Sequence, residues 1–468
     1  MEENKNRNYK VFALVVYCFI IYLIVSLVAQ YYGTNWKPLA NVNLVSDIFR
    51  AEVMSDSILI NNPNIENDEI MAESIVMEEN VIEEVIEEEV DDFNLYLEPH
   101  LITDFTRNSQ QPAMPNFIKK LVELKNTKKG KIRIAYLGDS MIEGDLLTMT
   151  LRELLQDEFG GEGVGFVPIY SNIAGFRTTV TANSSGWKDD HFMNKSSKGF
   201  YISGHVFTGN GKASFNDRTI KNNQIPIEKS IIYGKVDNGK LNHNGTEKTL
   251  DGTEAVNKTV LANDTSTRLS ISSKTAEMPL FGVSFESEDG IFIDNFSFRG
   301  STGFELGKVN SQILNTIQSV NNYDLIVLQY GVNLLFRPKD TNYDYYQTGM
   351  QPVIEKLKKS FEGADFLLVS SADRAFRYNG EFKTAIGLPN LIKLQATMAK
   401  ENEMAFYNQF ASMGGENSIV DWASQKPSLA NKDHVHPNHR GTRILANNLF
   451  NAILDDYKKF DNNKLEEN

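Results

Sequence analysis

Hydrophobic positions alternate at Ile132 and Ile134, then close up through Ala135, Tyr136 and Leu137 before Gly138-Asp139-Ser140. Such a run predicts a buried strand that leaves through a glycine turn. Beyond it, Leu146, Leu147, Leu151, Leu154, Leu155 and Phe159 recur at helical spacing. A helix is therefore expected next, with Ser140 at the junction. In open α/β sheets, ligands and catalytic groups gather there, outside the carboxyl end of a strand.

The pattern changes after residue 160. Helical periodicity disappears, and short alternating runs at 178–182, 200–206, 230–236, 267–272 and 280–286 stand between turn residues, which reads as an all-β module. Gly161, Gly163 and Gly165 follow a helix instead of opening one, so a phosphate-binding loop is excluded. After residue 290 the rhythm returns. Strands are expected at 291–297, 325–329 and 366–370, and helices at 309–320, 345–361 and 388–402. That order predicts a parallel sheet covered on both faces. The α/β domain comprises 111–164 and 289–468, and the β module at 165–288 is an insertion.

The N-terminal region reads differently. Residues 11–29 are uninterruptedly apolar and follow Lys5, Arg7 and Lys10. The expectation is a transmembrane anchor at 11–31, residues 1–10 in the cytoplasm and the remaining chain in the periplasm. A cleaved signal peptide is the competing reading, for which the apolar stretch is long. The single cysteine, Cys18, lies in this segment, so neither a disulfide framework nor a thiolate metal site is expected. No Lys or Arg occurs between Arg50 and Arg107, and the carboxylates there account for essentially the whole net charge of −14. Residues 32–110 read as a solvated acidic linker. The rest is near neutral, which excludes a nucleic-acid partner that would need a basic face.

A serine at a strand-to-helix turn becomes a nucleophile only with a base in reach and a third group to orient that base. The dense candidate is Asp433-His434-Val435-His436-Pro437, in which Asp433 and His436 can both turn inward while His434 faces outward. Two strand ends offer oxyanion donors. Gly300 follows 291–299, and Asn333 closes Gly331-Val332-Asn333. A metal cluster of Asp433, His434, His436 and His439 is the rival reading. It would leave Ser140, Gly300 and Asn333 without a role, and no metal or other cofactor is expected.

These four stretches resemble the SGNH hydrolases, also called GDSL lipases and acylhydrolases, over about 131–160 and 290–457. The resemblance implies a flavodoxin-like three-layer α/β/α sheet, Ser140 as nucleophile, Gly300 and Asn333 as oxyanion donors, and Asp433 with His436 as acid and base. One position departs: many members carry an acidic residue after the asparagine, where this chain has Leu334. A narrower resemblance is carried by Met413-Gly414-Gly415, Ser418, Trp422 and Leu429-Ala430 before Asp433. It is to SGNH enzymes that remove O-acetyl groups from bacterial peptidoglycan and related glycans. Several of these hold a carbohydrate-binding β-sandwich at the position of the insertion. Trp187, Phe192, Phe200 and Tyr201 are then candidates for a sugar-stacking platform, or else for the module's core.

The expected function is a membrane-anchored, extracytoplasmic carbohydrate O-acetylesterase acting on an acetylated glycan or peptidoglycan. Two alternatives stand beside it. An O-acyltransferase would use the same site with a membrane partner supplying the acyl group, and a noncatalytic glycan-binding assembly protein would use none of it.

Overall fold

The computed structural model describes Tyr17 and residues 92–107, 109–194, 199–222 and 224–466, with side chains to 460. The described residues from 92 to 466 form one compact unit.

Its centre is a six-stranded sheet. Lys131–Gly138 lies between Gly290–Ser297 and Leu325–Gln329, followed outward by Asp365–Val369, Ala405–Tyr407 and the two-residue Ile102–Thr103. All pairs are parallel except the last. Taken in chain order, the five parallel strands run 2-1-3-4-5, the flavodoxin-like arrangement, whose switch point is at the first strand. Ser140 follows that strand directly.

Helices Pro115–Thr127, Thr148–Phe159 and His439–Glu466 cover one face, and Ser311–Asn321, Asp344–Ser360 and Leu388–Glu401 the other. Each presents an apolar stripe: Leu151, Leu155 and Phe159 from the helix after the serine, and Ile313, Leu314 and Ile317 from the one after the glycine loop. Asp456 fixes the C-terminal helix by accepting from the Ala113 and Met114 N–H groups at 2.8 and 3.2 Å.

Between the serine helix and Gly290–Ser297 the chain builds two antiparallel sheets. One has five strands, from Val180–Ser185 at one edge to Thr246–Gly252 at the other. The second is centred on Ile227–Tyr233 and Leu280–Glu286. Phe207, Phe215, Ile231, Leu241, Leu269, Val283 and Phe285 fill the space between them. Leu280–Glu286 is buried at every position, because its other face also packs against the α/β core. Phe166, Ile232 and Phe281 join Phe296, Leu314 and Tyr323 in one apolar cluster. Phe192, Phe200 and Tyr201 sit in that same cluster, so the three rings are core and not a sugar platform. Trp187 packs partly buried against the cluster between the two sheets.

The expected single-pass periplasmic placement is corrected. Among the described residues no helix is long and apolar enough to cross a membrane. The one long helix, His439–Glu466, carries Asp455, Asp456, Lys458 and Lys459 and packs against other helices. Apart from Tyr17, residues 11–31 lie outside the described residues, as does the acidic stretch through 91. The membrane contact and the membrane-borne acyl donor expected with that placement find no support among the described residues.

A buried ion cluster ties the inserted sheets to the central one. Glu286 meets Lys131 and Lys258 at 3.0 Å each and also binds Arg133. Burial alone would raise its carboxyl, but Lys258, Arg133 and Lys131 overcome this and hold it well below the usual carboxylate range. Its stabilisation is thus fully present above about pH 4.3 and is lost as pH falls toward the folded value. Glu286→Ala strands three cations, and urea unfolding at pH 7 is expected to show a loss of about 3–5 kcal/mol. Excision of 165–288 is expected to leave no folded core, because the shared cluster would be cut open. A cooperative transition from the excised chain would refute this.

Candidate active site

The nucleophile turn is dictated by space. A Cβ at Gly138 would lie 3.0 Å from the Gln329 carbonyl oxygen and 3.0 Å from the Ile142 side chain. Asp139 then closes the turn by accepting the Met141 N–H at 2.9 Å. Ser140 emerges with its Oγ 2.9 Å from Nε2 of His436. Nδ1 of His436 lies 2.8 Å from Oδ2 of Asp433, whose Oδ1 accepts the Val435 and His436 N–H groups at 3.0 and 3.1 Å. These bonds outweigh burial, which by itself would raise Asp433, and keep its carboxyl below the ordinary range. Asp433 is therefore an anion beside the imidazole.

The loop that carries them is pinned from three sides. Asn431 N–H donates to the His436 carbonyl at 2.9 Å, Ala375 N–H to the His434 carbonyl at 3.0 Å, and Asn438 N–H to the Leu429 carbonyl at 2.9 Å. His434 takes a left-handed φ of 54°. Its ring turns away from the serine and packs edge-on to Phe382, centroids 3.9 Å apart, instead of facing solvent. The ring of His439 lies against Phe176 at 5.4 Å. The three histidines therefore do not converge.

Gly300 lies in the loop just beyond Gly290–Ser297, at φ 78° and with open space where a Cβ would stand. Among the described residues, neither its N–H nor that of Ser140 has a protein acceptor, so both are free for an incoming oxygen. Asn333 is differently placed: its Nδ2 donates to Oδ2 of Asp139 at 3.1 Å and to the Ser301 carbonyl at 2.9 Å. An incoming oxyanion has to share or displace one of these. Leu334 is buried in the apolar cluster, and the carboxyl group that steadies the asparagine comes from Asp139.

Sequence reasoning missed three contributors. Asp139 was passed over in favour of the serine beside it, although its place in the tripeptide was the available signal. Arg374 donates from Nη1 to the Val332 carbonyl at 2.6 Å and stacks over Phe376, bracing the asparagine turn from a loop with no motif. Glu143 binds Arg299 between the serine and glycine loops, a pairing across 156 positions of sequence.

No family model matches the sequence, and no curated protein does. Among solved structures, a peptidoglycan O-acetylesterase superposes with TM-score 0.63 at 21% identity, over 76% of this chain and 99% of that one. The fold is an SGNH-like α/β fold. The likeness shows the fold, and the matched share is larger than the α/β stretches alone supply. An acetyl xylan esterase (19% identity, 35% of this chain and 80% of that, TM-score 0.27) and a family two carbohydrate esterase from Cellvibrio japonicus (8%, 60% and 99%, 0.26) overlap much less.

Asp139 is 1% exposed, and burial pushes its carboxyl up to about 7 against the pull of the Met141 N–H and Asn333 bonds. The unfolded chain releases this proton near pH 3.9. The folded chain thus binds more protons between about pH 4 and 7, and stability falls as pH rises through that interval. Asp139→Asn is expected to remove this loss, so that variant-minus-parent Tm climbs from pH 4 to pH 7. A difference that stays flat would contradict the buried, proton-holding carboxyl.

Proposed function

We propose that this protein is a serine esterase that removes O-acetyl groups from a glycan such as peptidoglycan through an acyl-serine intermediate. The observation that carries the reading is the continuous relay from Ser140 through His436 to Asp433 at 2.9 and 2.8 Å. Nε2 of His436 takes the hydroxyl proton as Oγ of Ser140 attacks the acetyl carbonyl. Asp433 holds the proton on Nδ1, so that Nε2 is the acceptor, and stabilises the imidazolium that results. Negative charge then gathers on the carbonyl oxygen, which the Ser140 and Gly300 N–H groups receive together with the Asn333 amide. His436 gives the proton to the sugar oxygen as its bond to the acetyl carbon breaks, so that the sugar departs as a hydroxyl. A water molecule, activated in the same way, releases acetate from the serine.

The likeness to a solved peptidoglycan O-acetylesterase supports the glycan as substrate class. The test is acetate release from O-acetylated peptidoglycan fragments by the full chain, with a non-acetylated glycan present as competing acceptor. Free acetate from the parent, and none from Ser140→Ala at unchanged Tm, is expected. Activity retained in Ser140→Ala would remove the nucleophile, and acetyl groups appearing on the competing glycan would mark a transferase.

Asn333→Ala separates oxyanion binding from turn-building. The charge it meets exists only in the transition state, so kcat is expected to fall by roughly a hundredfold or more with little change in KM. A loss confined to KM would assign the amide to holding Asp139 and Ser301 alone.

A further inference from the structure

A cavity of about 560 Å³ opens beside the nucleophile turn. The serine and glycine loops supply Glu143, Arg299 and Phe298 to its wall, and the inserted sheets supply Asn183, Ser203 and His205. Its volume is in the range of about 300–1,000 Å³ usual for small-molecule sites.

The charged groups of this wall are spent on one another. Glu143 pairs with Arg299, and Asp145 with Arg177 at 3.3 Å. Asp189 lies 2.8 Å from Nδ1 of His205. A charged ligand would have to break one of these pairs to gain its own, at a cost in desolvation. Uncharged hydrogen-bonding groups remain available. Ser203 is 6% exposed, and its Oγ is buried without any hydrogen-bond partner. Asp189 fixes the proton of His205 on Nδ1 and leaves Nε2 to accept. The half-buried ring of Phe298 lies between His191 and His205, at centroid distances of 6.0 and 5.2 Å, and offers an apolar surface among these polar groups.

We propose that the cavity is a subsite for an uncharged sugar residue, seating the ring adjacent to the one whose acetyl ester reaches Ser140. The inference rests on the glycan-esterase reading and extends it: the inserted sheets bind substrate through this polar cleft beside the catalytic loops and not through an aromatic platform of their own. Hydroxyl groups of the sugar meet Ser203, His205 and Asn183, and its C–H face lies on Phe298.

The test is calorimetric titration of the full-length Ser140→Ala chain with the neutral N-acetylglucosamine trimer and, separately, with trigalacturonate. The neutral trimer is expected to bind and trigalacturonate not to. Adding Ser203→Val or Asn183→Ala is expected to weaken the trimer by about tenfold or more, as loss of a buried hydrogen bond does. Asn183 is exposed on its strand, so its variant decides the matter should the buried valine disturb folding, which a melting curve on each sample reports. Absence of trimer binding, equal binding by Asn183→Ala and a folded Ser203→Val, or tighter binding of the charged trimer would each overturn the subsite. Turnover of 4-nitrophenyl acetate by the parent chain reports the nucleophile separately. The esterase can thus stand while the subsite falls, and the reverse.

Discussion

The buried carboxyl of Asp139 is the contact on which the site depends. It closes the turn that presents Ser140 and, through the same side chain, holds the amide of Asn333 on the neighbouring strand end. Two loops from different crossovers are thereby set in one relation, which neither could keep through its own backbone. Burial makes the carboxyl hold its proton to about pH 7. The group is therefore expensive to bury, and its presence trades stability for alignment of the donors around the carbonyl oxygen.

The inserted sheets belong to the same design. Their central strand is buried on both faces, one against the partner sheet and one against the helices of the α/β core, and Glu286 joins the two regions through three cations. Asp145 does the same at the mouth of the site. It is held by Nη1 and Nη2 of Arg152 at 2.8 Å each and accepts the Thr179 hydroxyl at 2.7 Å. The wall of the cleft is thus fixed to the turn that carries the nucleophile.

Much of this was legible in the sequence where burial was two-sided. Parallel strands such as Leu325–Gln329 are apolar at nearly every position, and the helices between them keep a 3.6-residue stripe, so their bounds fell within a few residues of those observed. The strands missed were of two kinds: short buried ones such as Ala405–Tyr407 and Gly165–Pro168, too brief to show a period, and those with one wet face. Thr246–Gly252 is mainly polar, with Leu250 buried beside a glycine, and Val236–His243 buries only Gly239 and Leu241. Aromatic residues in the insertion were ambiguous for the opposite reason. Phe192, Phe200 and Tyr201 carry the composition of a sugar platform and the burial of a core, and only the packing against Phe296 and Phe298 distinguishes them. Asp433 and His436 were readable because they share one loop, whereas the tie between Asp139 and Asn333 spans 194 positions and has no local signature.

Ser140 and His436 are separated by 296 positions, with the whole inserted pair of sheets between the first two central strands. During synthesis the serine turn and its helix emerge early, but Gly290–Ser297 must arrive before the switch point has its second wall, and the base only comes with the final helix. Chain entropy and the N-to-C order of translation together mean that a ribosome-bound intermediate carries the nucleophile without its partner. The serine turn therefore has no base until the chain has been made as far as His436 and that loop has docked, and the pairing is timed by topology.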